Sequence, residues 1–110
     1  MRKYLALGLM LLSGSTWAHE YPASEVVQFV LQCMQKHPDK FEYLYKCSCV
    51  MDTLAKQLKY DDYVELSTAS RGQSTVGEGG GVFRDPPKIK AMAKRYNAMK
   101  AQAEKECLIQ

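Results

Sequence analysis

The sequence lacks several motifs that mark enzymes and cofactor sites. It has no Gly-x-Ser-x-Gly pattern, no Gly-Lys-Ser/Thr ending to its glycine-rich stretch and no Cys-x-x-Cys pair. These absences argue against a hydrolase with a nucleophile elbow, a phosphate-binding loop and a thioredoxin-like or zinc site. Neither His37, beside Pro38, nor Asp61-Asp62 is accompanied by a recognisable catalytic partner. We therefore expect no enzymatic activity and no cofactor.

A long hydrophobic run is also missing. The apolar segment from Leu5 to Leu12 is shorter than the roughly 20 residues that a helix needs to cross a bilayer. It follows Arg2 and Lys3 and precedes a small-residue stretch ending at Ala18, the pattern of a secretory signal peptide. We predict a signal peptide over 1–18, cleavage before His19, and one helical domain over 19–110 in the periplasm or outside the cell. A retained anchor is the alternative.

A strong excess of charge is absent too. Without Arg2 and Lys3 the chain has 13 basic and 12 acidic residues, which gives a net charge of +1 and no support for nucleic-acid binding. The charge is nevertheless uneven, because residues 84–105 contain seven lysines and arginines against only Asp85 and Glu104. Such a segment either complements the acidic remainder of the chain or forms a docking face for an acidic partner.

Four cysteines remain after removal of the signal peptide, and an even number in a short exported chain predicts two disulfides. Cys47 and Cys49 are two residues apart, so a helix would point their sulfurs in nearly opposite directions. They should therefore bond to Cys33 and Cys107 rather than to each other. The pairing 33–47 with 49–107 is favoured because Cys47 is nearer to the turn that follows Cys33, and 33–49 with 47–107 stays open.

Apolar residues at three- and four-residue intervals predict an all-α fold, a small disulfide-stapled bundle of three to four helices. We expect Ser24, Asp39 with Glu42, Asp61 or Asp62, and Asp85 to cap these helices. The predicted elements are an αα-hairpin formed by Ala23–Lys36 and a helix extending to Leu58, a short helix to about Ser70 with Gly72 as its stop, a glycine-rich loop over 73–83, and a long helix from Pro87 towards Cys107.

The segment after the glycine-rich stretch is the best candidate for contact with another molecule. Val82-Phe83-Arg84 combines apolar, aromatic and guanidinium groups, and aromatic and arginine side chains are enriched at the centres of interfaces. We expect the chain to be an accessory, chaperone-like or inhibitory module that binds another exported protein. The predicted contact residues are Phe83, Arg84, Lys88, Lys90, Lys94 and Arg95.

Two other functions are compatible with the composition. Periplasmic copper binding would use soft cysteine and thioether ligands together with histidine, with His19, Met92 and Met99 as candidates. However, the mature methionines lie on apolar helical lines, where they usually fill a core, so the main prediction is that no metal is bound. Thiol redox chemistry would need a free cysteine with a lowered pKa, for which Lys46 beside Cys47 is a weak indication.

Overall fold

The computed structural model describes residues 21–110, and this part of the chain is all-helical with two disulfides. The signal peptide predicted over 1–18 and His19 lie outside the described residues. The helices are α1 (Ala23–Gln35), α2 (Tyr43–Gln57), α3 (Tyr60–Gly72), α4 (Gly81–Arg84) and α5 (Pro87–Glu106), with a 3-10 turn over Glu78–Gly80. The predicted disulfide-stapled bundle is thereby confirmed. None of the helices over 21–110 combines the length and apolarity that a bilayer crossing requires.

Helices α1 and α2 form the predicted αα-hairpin. Lys36 and His37 donate their backbone N–H groups to the carbonyls of Cys33 and Met34, which closes the end of α1. Asp39 then takes a left-handed conformation with φ of 65°, which aspartate tolerates better than most residues, and the chain reverses direction. The Cys33–Cys47 disulfide joins the two helices behind this turn, with 5.9 Å between the Cα atoms.

Helix α2 supplies the centre of the core because one side of it is apolar along its whole length. Val50, Met51 and Leu54 are almost completely buried, and Leu58 closes the same cluster. The cluster also receives Phe29 from α1, Tyr63 and Leu66 from α3, and Tyr96, Ala103 and Cys107 from the C-terminal segment. A smaller cluster beside the hairpin contains Val30, Tyr43 and Cys47.

Helix α5 returns the chain to α2. Pro87 occupies its first turn, where the missing N–H has no helical partner to lose. The helix packs most extensively against α3, and its end is bonded to α2 through Cys49–Cys107 with 5.8 Å between the Cα atoms. Both disulfides of the favoured pairing are therefore present, and each joins a different terminal segment to α2.

The predicted side-chain caps are wrong. Pro22, Glu42, Lys59 and Pro86 occupy the N-cap positions of α1, α2, α3 and α5, and none of them makes a side-chain capping bond. Asp39 lies several residues before α2, so its pairing with Glu42 does not form. Ser24, Asp61 and Asp62 instead lie inside the first turns of their helices, where the two aspartates still complement the helix dipole.

Candidate functional site

The glycine-rich segment is more ordered than the sequence suggests. The stretch predicted as a loop over 73–83 contains the 3-10 turn and most of α4. Gly77 has φ of 85°, a conformation that favours glycine, and it lets the chain enter the 3-10 turn. Gly72 ends α3 as predicted, and a side chain there would collide with the backbone carbonyl of Phe83. The segment therefore folds back against the end of α3.

Arg84 holds this fold-back in place. Its guanidinium donates to the backbone carbonyls of Thr75 at 2.8 Å and Gly77 at 3.4 Å, and to the Asp85 carboxylate at 2.7 Å. The amide of Gln73 in turn donates to the carbonyl of Arg84 at 3.0 Å. The interaction with Asp85 raises the pKa of Arg84 and lowers that of Asp85. Arg84 is one of the six predicted contact residues, and its guanidinium donates hydrogen bonds within the chain.

The apolar neighbours of Arg84 face solvent. Phe83 is 60 % exposed, Val82 73 % and Val76 87 %. We call Val76, Val82 and Phe83 the loop platform. Exposed apolar side chains are common singly, but here three lie on one short segment, whose backbone Arg84 and Gln73 hold in place.

The four basic residues predicted on α5 are all exposed, but they do not share one face. At 100° per residue, Lys88 and Arg95 lie on one stripe, and Lys90 and Lys94 lie on another roughly 130° away. The buried side of α5, with Ala93 and Tyr96, lies on the opposite side of the helix from the arc between these stripes. Both stripes therefore border the solvent-exposed side of α5.

All four cysteines are disulfide-bonded, so the described residues contain no free thiol for redox chemistry or soft-metal binding. Met92 and Met99 pack against the main core cluster, and Met51 is buried within it. His37 stacks on the ring of Tyr43 with 3.8 Å between centroids. Residues 21–110 contain no group of three or more His, Cys, Asp or Glu side chains suited to a metal ion. His19 lies outside the described residues.

A second candidate site, which the sequence analysis missed, is a cleft of about 390 Å³ between α1, α3 and α5. Each helix contributes residues from one of its faces, such as Tyr96, Lys100 and Glu104 on α5, which are spaced four positions apart. Ile109 and Gln110 close the cleft at the end of the chain. We call this space the α1/α3/α5 cleft.

The floor of the cleft is aromatic and its rim is basic. Phe29, Tyr63 and Tyr96 are buried at the floor, and burial raises the pKa values of both tyrosine hydroxyls. The rim contains Lys36, Arg71 and Lys100 but only one side-chain carboxylate, that of Glu104. The other polar residues of the lining are Gln32, His37, Ser67, Ser70 and Gln110.

Lys100 is the most constrained cation of this rim. Its ammonium lies 3.9 Å from a carboxylate oxygen of Glu104 and 5.9 Å from the centroid of the Phe29 ring. Burial lowers the pKa of Lys100, and the nearby ammonium of Lys36 lowers it further, whereas Glu104 acts in the opposite direction. Lys100 thus lines the cleft together with Lys36, a second cation.

The sequence contains a weak signal for this cleft. Lys36, Arg71 and Lys100 each follow an apolar or aromatic residue by one or two helical turns, but they are separated by about 30 residues along the chain.

Comparison of the chain with protein-family models, with curated proteins and with solved structures finds no significant match.

Proposed function

We propose that this chain is a small exported, non-catalytic binding module that docks on another exported protein through the loop platform. The observation that carries this proposal is the exposure of Phe83 on a backbone segment that Arg84 holds in place. An aromatic side chain presented this way loses little conformational entropy on binding, which is a property of interface hot spots. The partner surface should be an apolar pocket.

The charges beside the platform define the rest of the partner surface. Lys88 and Lys90 follow α4 closely, are exposed and form no ion pair with another described residue. An acidic rim around the apolar pocket would complement these lysines and would mainly accelerate association. Because the two lysines lie on different sides of α5, we expect only one of them to contribute strongly.

Two disulfides support export to an oxidising compartment, since such bonds rarely persist in the cytosol. The proposal therefore includes the periplasm or the extracellular space as the site of action. The mass of the chain purified from the native host tests this part. We expect a species that begins at His19 and carries four oxidised cysteines, whereas an intact residue 1 would contradict the predicted processing.

The docking surface is tested with a photo-reactive amino acid at position 83 and, as a matched control, at position 41. Phe41 is also a strongly exposed phenylalanine, but it lies just before α2, outside the segment that Arg84 holds in place. Crosslinking in the native compartment should capture a defined protein from position 83 and not from position 41. The captured protein is then purified and its affinity for the chain is measured by calorimetry.

Phe83→Ala should weaken that affinity by about tenfold or more. Truncation of a hot-spot aromatic side chain removes at least ~1.4 kcal/mol of binding free energy, which corresponds to this factor. Phe41→Ala should change it less than about twofold. Arg84→Ala should also weaken binding, through loss of the platform's backbone contacts rather than through loss of a direct contact. Equal affinities of Phe83→Ala and the unmodified chain would overturn the proposal.

A further inference from the structure

The α1/α3/α5 cleft has more positive charge than the surrounding residues neutralise. Its rim brings together the side-chain cations Lys36, Arg71 and Lys100 against the single carboxylate of Glu104. The three ion pairs among residues 21–110 are Lys46–Glu42, Arg84–Asp85 and Lys100–Glu104, so neither Lys36 nor Arg71 has a described acidic partner. A negative group in the cleft would offset this excess.

The same cleft offers an apolar surface directly below these cations. Phe29, Tyr63 and Tyr96 come from three different helices and form the floor, while Ile109 closes one end. The rings of Tyr63 and Tyr96 pack edge to face, with 6.1 Å between their centroids and an interplanar angle of 64°. The volume of about 390 Å³ lies within the range of pockets for small molecules.

We propose that the α1/α3/α5 cleft binds a small organic anion with an aromatic or short aliphatic body. The anionic group, a carboxylate or a phosphate, lies among Lys36, Arg71 and Lys100. The body lies on the aromatic floor formed by Phe29, Tyr63 and Tyr96. None of the three loop-platform residues lines the cleft, so the two proposals can be tested independently.

The convergence of Lys36, Arg71 and Lys100 on one cleft is the strongest physical argument for an anion. Like charges that line one cleft repel each other, and a ligand of opposite charge between them offsets this repulsion. A bridging carboxylate or phosphate would convert this repulsion into charge-assisted hydrogen bonds. Arg71 on α3 adds a planar donor suited to two oxygens of the same group.

The test uses the disulfide-intact chain over 19–110 and calorimetric titration with phenyl phosphate and with benzoate, which distinguish the two anionic groups. We expect saturable one-to-one binding of at least one of them. Inorganic phosphate and phenol, which carry only the anion or only the ring, should each bind about tenfold more weakly. Binding should weaken as sodium chloride is raised, because the rim cations are partly exposed.

Lys36→Gln and Lys100→Gln should each weaken binding about tenfold, because each removes one charge-assisted hydrogen bond. Lys88→Gln on the exposed surface of α5 is the matched control and should change affinity less than about twofold. Lys36→Gln should keep or raise the melting temperature, since it relieves repulsion, so its loss of binding cannot be ascribed to unfolding. No saturable binding of phenyl phosphate or benzoate at millimolar concentration, or unchanged affinity in the double variant, would overturn the proposal.

Discussion

Helices α1 and α3 both pack against the central part of the bundle, but they are held there by different means. Helix α1 buries only Phe29 and Val30 and is bonded to α2 through Cys33–Cys47. Helix α3 buries Tyr63, Leu66, Ser67 and Ala69 and has no covalent link. The contrast indicates that the Cys33–Cys47 disulfide holds a helix whose own apolar burial is small, and cross-links commonly compensate for small cores in exported domains.

The C-terminal segment combines both means. Helix α5 packs against α3 and α2, and its end is also bonded to α2 through Cys49–Cys107. The α1/α3/α5 cleft therefore lies between a cross-linked helix, a helix held by packing alone and a helix held by both. Four changes test this contrast, in order of the expected loss of stability near neutral pH.

The largest effect should follow removal of the longer cross-link in a Cys49→Ala, Cys107→Ala variant. The bond closes a loop with a sequence separation of 58, and loop-closure entropy assigns about 4 kcal/mol to a loop of that length. Urea denaturation followed by circular dichroism measures the loss. Hydrogen exchange should show the end of α5 losing protection first, and a loss below about 1 kcal/mol would mean that packing alone holds this end.

Removal of the shorter cross-link in a Cys33→Ala, Cys47→Ala variant should cost about 3 kcal/mol, because its loop has a sequence separation of only 14. The informative result is where protection is lost. Since α1 buries so little, its amides should exchange much faster while those of α3 and α5 stay protected. Uniform loss of protection across all helices would show that α1 is part of the cooperative core after all.

The packed helix should respond to loss of side-chain volume instead. Leu66→Ala in α3 removes a residue that is only 4 % exposed, and we expect a loss of about 2 to 3 kcal/mol from lost burial and the resulting cavity. Val64→Ala on the same helix is the matched control, because Val64 is 38 % exposed. It should change the free energy of unfolding by less than about 0.5 kcal/mol. Similar losses for both variants would contradict the burial of Leu66.

The smallest effect at neutral pH concerns Tyr21, which packs between Tyr60 and Tyr63 and donates its hydroxyl to the Leu58 carbonyl at 2.7 Å. Burial, followed by the charges of Tyr63 and Asp62, raises its pKa from 10.0 to about 12. The folded state therefore binds this proton more tightly than the unfolded state, so the associated stability is complete below pH 10.0 and is lost as the pH rises towards about 12.

Tyr21→Phe should cost about 1 kcal/mol at pH 7 through the lost hydrogen bond. The melting temperature should also fall less steeply as the pH rises above 10.0 than it does for the unmodified chain. Tyr45→Phe, at an exposed position, is the matched control. An unchanged alkaline decline in Tyr21→Phe would show that Tyr63 and Tyr96, whose pKa values burial also raises, account for it.

Much of the architecture could be predicted because it depends on local pattern. The apolar line of α2 and the two-residue spacing of Cys47 and Cys49 together imply a central helix with tethers on two sides, and Pro87 and Gly72 lie at the predicted helix boundaries. The capping predictions were wrong because an Asp or Ser near a helix start caps only if the chain direction there allows it. At Asp39 the backbone instead takes a left-handed turn that separates it from α2.

The candidate sites were less accessible to such reasoning. The prediction that Phe83 faces solvent is correct. The hydrogen bonds from Arg84 to the carbonyls of Thr75 and Gly77 depend on how residues 75–77 fold back, and no short motif encodes that fold. The cleft was missed because its three cations lie far apart in the chain. Their convergence follows from the packing of α1, α3 and α5, and helical periodicity does not specify which flanks of separate helices meet.

The sequence by itself determined the elements of this protein: helices of given length, an even set of cysteines, and a glycine-rich break before the last helix. These features follow from short-range steric and hydrophobic preferences that act within a few residues. The packing of the helices, in contrast, determines that Arg84 supports the loop platform and that Lys36, Arg71 and Lys100 line one cleft with an aromatic floor. Such placements depend on long-range packing around α2, where burial of a common core can bring like charges together that would otherwise stay apart in water.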